Sequence, residues 1–149
     1  MNYYAAFPEG MQAMVALGHA VNTSGLESSL LELVKLRSSQ LNGCAFCIDM
    51  HTKDAMAAGE TPQRLFALDA WRETPFFTPR ERSALQWTES MTNIQQGHVP
   101  DAVFNEARAH FAEDELTKLS LAIILINSWN RLAIAFRPIV GKYQPAQPA

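Results

Sequence analysis

ELVKLRSSQLNGCAFCIDMHT, residues 32–52, is the stretch on which the reading of this chain turns. Its first half carries apolar residues at helical spacing, in a helix expected from about Ser28 through Leu30, Leu33, Val34 and Arg37 to Leu41. Asn42-Gly43 closes that helix as a left-handed stop. A second helix then starts at Cys44 and runs to Ala58, with Gly59 as its stop. A turn this tight folds the two helices back on each other. Cys44 and Cys47, three residues apart at a helix start, place two sulfurs on one face within reach of a disulfide. Unsatisfied N–H groups and the helix dipole there favour a thiolate. His51 stands one turn after Cys47 and is positioned to take a thiol proton and return it. Glu32, a carboxylate in a leucine-rich helix, is costly to bury without a partner, and His51 is the candidate.

Outward from this segment the helical period continues, and no alternating strand pattern interrupts it. Pro8-Glu9-Gly10 opens a helix with Met11, Met14, Val15, Gly18 and Val21 on one face, ended by Asn22-Thr23-Ser24-Gly25. Thr61-Pro62 starts another, with proline at the first helical position behind a capping threonine. Thr78-Pro79-Arg80-Glu81 repeats the device as a capping box, for a helix expected to end near Gly97-His98. Pro100 to Phe111 gives a sixth helix. A long apolar seventh runs from about Glu113 to Arg137-Pro138. The expectation is an all-α bundle of about seven helices forming one domain over 1–149, with residues 141–149 as a loose terminus.

The chain has 149 residues, 48% hydrophobic and 18% charged, which suits a globular core. A net charge of -3 without a basic run argues against nucleic acid as a partner. No basic-then-apolar leader is visible at Met1–Gly10, and the strongly apolar run Leu121–Ile126 is far short of the ~20 residues that cross a bilayer. A cytoplasmic protein without membrane contact is therefore expected. In that reducing setting C-x-x-C is more often redox-active or metal-binding than a structural staple. The high apolar content also hints at an oligomer.

Zinc held by Cys44, Cys47, His51 and Glu32 is the alternative reading of the same residues, although structural zinc prefers more thiolates. Ile48 excludes c-type haem attachment, which needs histidine directly after the second cysteine. Two buried thiols with coincidental spacing are the plain alternative. Asp49 is expected to pair with Lys53 at i+4. His19, His98 and His110 have no comparable neighbours. Trp129, Asn130 and Arg131 fit a pocket wall or a subunit contact equally well.

The residues Glu32, Asn42-Gly43, Cys44, Cys47 and Asp49-Met50-His51 together resemble the core motif of the AhpD-like alkylhydroperoxidases, within the carboxymuconolactone decarboxylase superfamily. The segment Ile126–Leu132 is similar to that family's closing helix, so the likeness extends over most of the chain. The resemblance implies an all-helical fold, assembly as a homotrimer or homohexamer, and two-cysteine reduction of a small-molecule hydroperoxide. In that scheme Cys47 attacks the peroxide, Cys44 resolves the sulfenic acid as a disulfide, and Glu32 and His51 relay protons. An external dithiol or disulfide reductase returns the electrons, and neither metal nor other cofactor takes part. Some active members carry a histidine between the cysteines; here Phe46 stands in that place, which implies a simpler relay. General thiol–disulfide exchange, a binding module with little turnover, and a decarboxylase-type enzyme are the alternative activities.

Overall fold

Gly43 takes the left-handed conformation, φ 68°, that the Asn42-Gly43 pair predicts. An added Cβ at Gly43 meets nothing within 4 Å, so the requirement lies in the backbone alone. Gly43→Ala is accordingly expected to cost about 1 kcal/mol of stability by denaturant unfolding, from left-handed strain without a clash.

The chain is described here by a computed structural model, over residues 1–145, and among these every regular element is helical. In order they are α1 (Tyr3–Ala6), α2 (Pro8–Asn22), α3 (Ser28–Asn42), α4 (Ala45–Ala57), α5 (Pro62–Ala67), α6 (Pro79–Thr92), α7 (Asp101–His110) and α8 (Glu113–Phe136). A 3-10 turn over Leu68–Glu73 continues α5. Both threonine caps form. Thr61 Oγ1 accepts from the Arg64 N–H, and Thr78 and Glu81 exchange side-chain and backbone bonds as a complete capping box.

Away from the cysteines, three features differ most from expectation. The α6 helix ends at Thr92 rather than near Gly97-His98: Asn93 leaves the helical conformation, φ -97° and ψ 36°, and residues 93–97 continue as turn. The short α1 has no period long enough to read; Asn2 Oδ1 caps it by accepting from the Ala5 N–H. The expected loose terminus is docked as far as it is described. Lys53 Nζ donates to the Tyr143 carbonyl at 3.1 Å, and the Tyr143 hydroxyl donates to Asp54 Oδ1 at 2.6 Å. Residues 146–149 lie outside the described residues.

Helix α3 is the hub, packing on α4, α6 and α8. One core joins Leu31 and Val34 to Trp87, Leu119 and Ile123; a second joins Leu33 and Leu36 to Leu65, Leu68 and Leu85. Each fully buried leucine contributes about 1.5–3 kcal/mol. By length and composition α8 could cross a membrane, with a mean hydropathy of 1.5 over its most apolar window. Its inner face, Leu119, Ala122, Ile123, Ile126 and Asn130, is buried in the core of the bundle.

Candidate active site

Helix α4 begins one residue later than expected, so Cys44 is its cap rather than its first residue. Cys44 Sγ accepts from the Cys47 N–H at 3.4 Å, the place a serine hydroxyl commonly fills. Capping geometry thus brings the two sulfurs together; both are free thiols, 2.7 Å apart. Behind them the turn is pinned to α8. Asn42 Nδ2 donates to Asn130 Oδ1 at 2.8 Å, and Asn130 Nδ2 donates to Ser39 Oγ at 3.0 Å. Asn130 is fully buried, Trp129 packs on the cysteine cluster, and Arg131 is exposed. The three neighbours on α8 therefore divide between a network residue, a wall and the surface.

Glu32 and His51 meet as predicted, Oε2 to Nδ1 at 3.0 Å. Lys35 Nζ donates to the other oxygen of Glu32 at 2.8 Å. Burial alone would raise the Glu32 carboxyl. The His51 hydrogen bond and the Lys35 charge outweigh it and hold the group below its ordinary value. An ionised Glu32 only accepts, so Nδ1 carries the shared proton and Nε2 remains to accept one. No hydrogen bond joins His51 to Cys47; the two come together instead on the wall of one cavity.

That cavity has a volume of about 670 Å³. Cys47, His51, Phe46 and Met50 line it from α4, and Ile126, Trp129 and Phe136 from α8. Tyr3 and Tyr4 complete the wall from α1, with Tyr3 stacked on Phe136 and Tyr4 on Trp129. Cys44 is not part of the wall.

Cys47, the sulfur on the cavity wall, is held as a thiol. Its side chain is 1% exposed, and burial first, then the adjoining Cys44, pushes the thiol up to about 12, against a smaller opposite pull from Asn130. The dipole of a 13-residue helix does not offset the loss of water around a buried anion. Iodoacetamide labelling of Cys47, followed by mass spectrometry across pH, is therefore expected to stay slow at pH 8 and to accelerate only above pH 9. Half-maximal labelling near the ordinary thiol value would contradict this. The protonated thiol is the form favoured by folding, so its contribution to stability is complete below the unfolded thiol value of 9.0. It is lost as pH rises towards about 12.

Asp54 and Tyr143 were not singled out in the sequence. Donor atoms of Glu32, His51 and Asp54 lie within 4.8 Å of one another, and Tyr143 caps Asp54. The signal for Asp54 is its position three residues after His51 on the same helix face. Tyr143 leaves no local trace. The sulfurs are not in this group, so the four-ligand zinc set of Cys44, Cys47, His51 and Glu32 is not assembled. Asp49 pairs with Lys53 at 2.9 Å as expected, and His110 pairs with Glu106 on the surface.

Residues 8–90 match the model of the carboxymuconolactone decarboxylase family. The chain belongs to this family. Within it the chain is of the AhpD-like kind. YdfG of Bacillus subtilis, itself uncharacterized, is 45% identical over 135 residues, spanning 91% of this chain and 92% of its own. A solved Agrobacterium tumefaciens protein of unknown function, provisionally named an AhpD antioxidant defence protein, superposes with a TM-score of 0.89 at 41% identity. That match covers 99% of this chain and 98% of the other. The debrominase Bmp8 has the same fold, with a TM-score of 0.81 at 18% identity over 91% of this chain and 73% of its own. The shared bundle therefore does not fix a reaction, and the reaction has to be argued from the site.

Proposed function

We propose that this family member reduces organic hydroperoxides through a Cys47/Cys44 dithiol cycle. As Cys47 loses its proton to His51 Nε2, its sulfur attacks the terminal peroxide oxygen. The O–O bond breaks, the alcohol leaves with a proton, and Cys47 becomes a sulfenic acid. Cys44 then attacks Cys47, the S–S bond forms, and water leaves. Two electrons have passed from two thiols to the peroxide. An external dithiol donor restores the thiols.

One observation carries this reading: Cys47 and His51 share the cavity wall while Cys44 waits behind, 2.7 Å from Cys47. Peroxide arriving through the cavity meets the attacking sulfur first and the resolving sulfur second. Burial of both thiols favours a small substrate over exchange with a folded protein's disulfide. The same reading places the protein in the cytoplasm as a homotrimer or homohexamer. Exposed apolar side chains on α2 and α8, including Val15, Leu121 and Ile124, are available for such packing.

Thiol counting by alkylation and mass spectrometry tests the reaction, after reduced protein meets one equivalent of an organic hydroperoxide. Loss of both thiols with one equivalent of alcohol formed is expected. Persistence of both thiols over minutes would sink the proposal.

A further inference from the structure

The wall of the Cys47 cavity carries Lys35, His51 and Arg137 and not one aspartate or glutamate, in a protein whose net charge is -3. Two of these three basic groups are engaged. His51 is bonded to Glu32, and Lys35 donates to Glu32 at 2.8 Å and to Asn22 at 2.9 Å. Arg137 differs. It follows the last turn of α8 in a left-handed conformation, φ 55°, is exposed where it borders the cavity, and forms no salt bridge among the described residues. The rest of the wall is mostly apolar, with the π faces of Tyr3, Tyr4, Phe46, Trp129 and Phe136.

A cavity of about 670 Å³ is of the size that encloses a whole small ligand. The Glu32 carboxylate behind the wall offsets Lys35, and His51 enters as a proton acceptor. That leaves Arg137 as a wall cation that no described carboxylate offsets; such a wall disfavours a cationic guest and rewards one carrying a single negative charge. We infer that the cavity takes an amphipathic monoacid, with its carboxylate on the Arg137 guanidinium and its apolar body along the aromatic wall. Resting on the peroxidase reading, this makes the substrate the hydroperoxide of a fatty or aryl carboxylic acid, reduced to the hydroxy acid and water by the two thiols. Arginine suits the task because its planar fork grips a carboxylate through two parallel hydrogen bonds. The α1 tyrosines raise the apolar contact at the other wall, where Tyr3 stacks on Phe136 at 5.1 Å between ring centres.

The test uses the full chain and two pairs of probes, each an acid with its methyl ester. Binding is measured by calorimetry with the hydroxy acid derived from linoleic acid hydroperoxide and with its methyl ester, below their aggregation concentrations. Turnover is measured with the matching hydroperoxides. Wild-type protein is expected to bind the acid about tenfold more tightly than the ester, and KM to follow the same ratio. In Arg137→Gln the acid-to-ester ratio is expected to fall to near one, with partial recovery in Arg137→Lys. Equal binding of acid and ester by wild-type protein, or an undiminished ratio in Arg137→Gln, would overturn the inference. A preserved acid preference in binding with no thiol oxidation by either hydroperoxide would refute the peroxidase reading and support the ligand class alone.

Discussion

In a Cys47→Ser variant, Cys44 is expected to survive one equivalent of organic hydroperoxide as a free thiol, with no alcohol formed above the uncatalysed rate. In Cys44→Ser, Cys47 is expected to react and halt as a sulfenic acid, trapped by dimedone as a single adduct. The asymmetry follows from position. Cys47 opens on the cavity, whereas Cys44 caps α4 behind it and meets substrate only through Cys47. Serine at position 44 remains a competent cap, so that variant should keep its fold. Serine at 47 buries a hydroxyl at a 1%-exposed site, at a cost of about 1–3 kcal/mol, and its helix content should be verified by circular dichroism. Dimedone adducts on Cys44 in the 47 variant would reverse the two roles.

His51→Asn is expected to lower the rate of Cys47 oxidation by about 10²–10⁴-fold, the range associated with loss of a positioned proton acceptor. The effect belongs near the upper end, because a thiol pushed up to about 12 offers almost no thiolate at neutral pH without a base. Glu32 acts through His51, so Glu32→Gln should produce a smaller fall and should also change the pH profile. With Glu32 ionised, the Nδ1 proton is held and Nε2 is left to accept; a neutral glutamine removes that bias. Glu32 is held below its usual 4.5, so its ionised form, and the stability it confers, persists as pH falls through 4.5 and is lost only below that value. Stopped-flow measurement of thiol loss between pH 4 and 9 separates the two variants. Equal rates in wild type and His51→Asn would remove the relay from the mechanism.

Much of this site is local, and local features were legible. Cys44, Cys47 and His51 lie on consecutive turns of one helix, so spacing alone brings them together. The left-handed Gly43 and the Thr78 capping box are likewise consequences of a few adjacent residues. Glu32 required one step more, the folding back of α3 on α4 through a two-residue turn, and that step is short enough to infer.

What escaped the sequence depends on distant chain segments. The burial that raises Cys47 comes from Ile126 and Ala133 on α8, some eighty residues away, and no pattern around the cysteines reports it. Tyr143 reaches Asp54 from a tail whose composition suggests only looseness, because one 2.6 Å hydrogen bond carries no periodicity. The cavity has the same origin: Tyr3 and Tyr4 meet Phe136 and Trp129 from the opposite end of the chain. Periodicity and capping determined the helices and which reactive groups share a turn, since those depend on neighbours within four residues. Packing between remote helices decided how deeply the thiols are buried, which sulfur faces the cavity and what charge lines its wall.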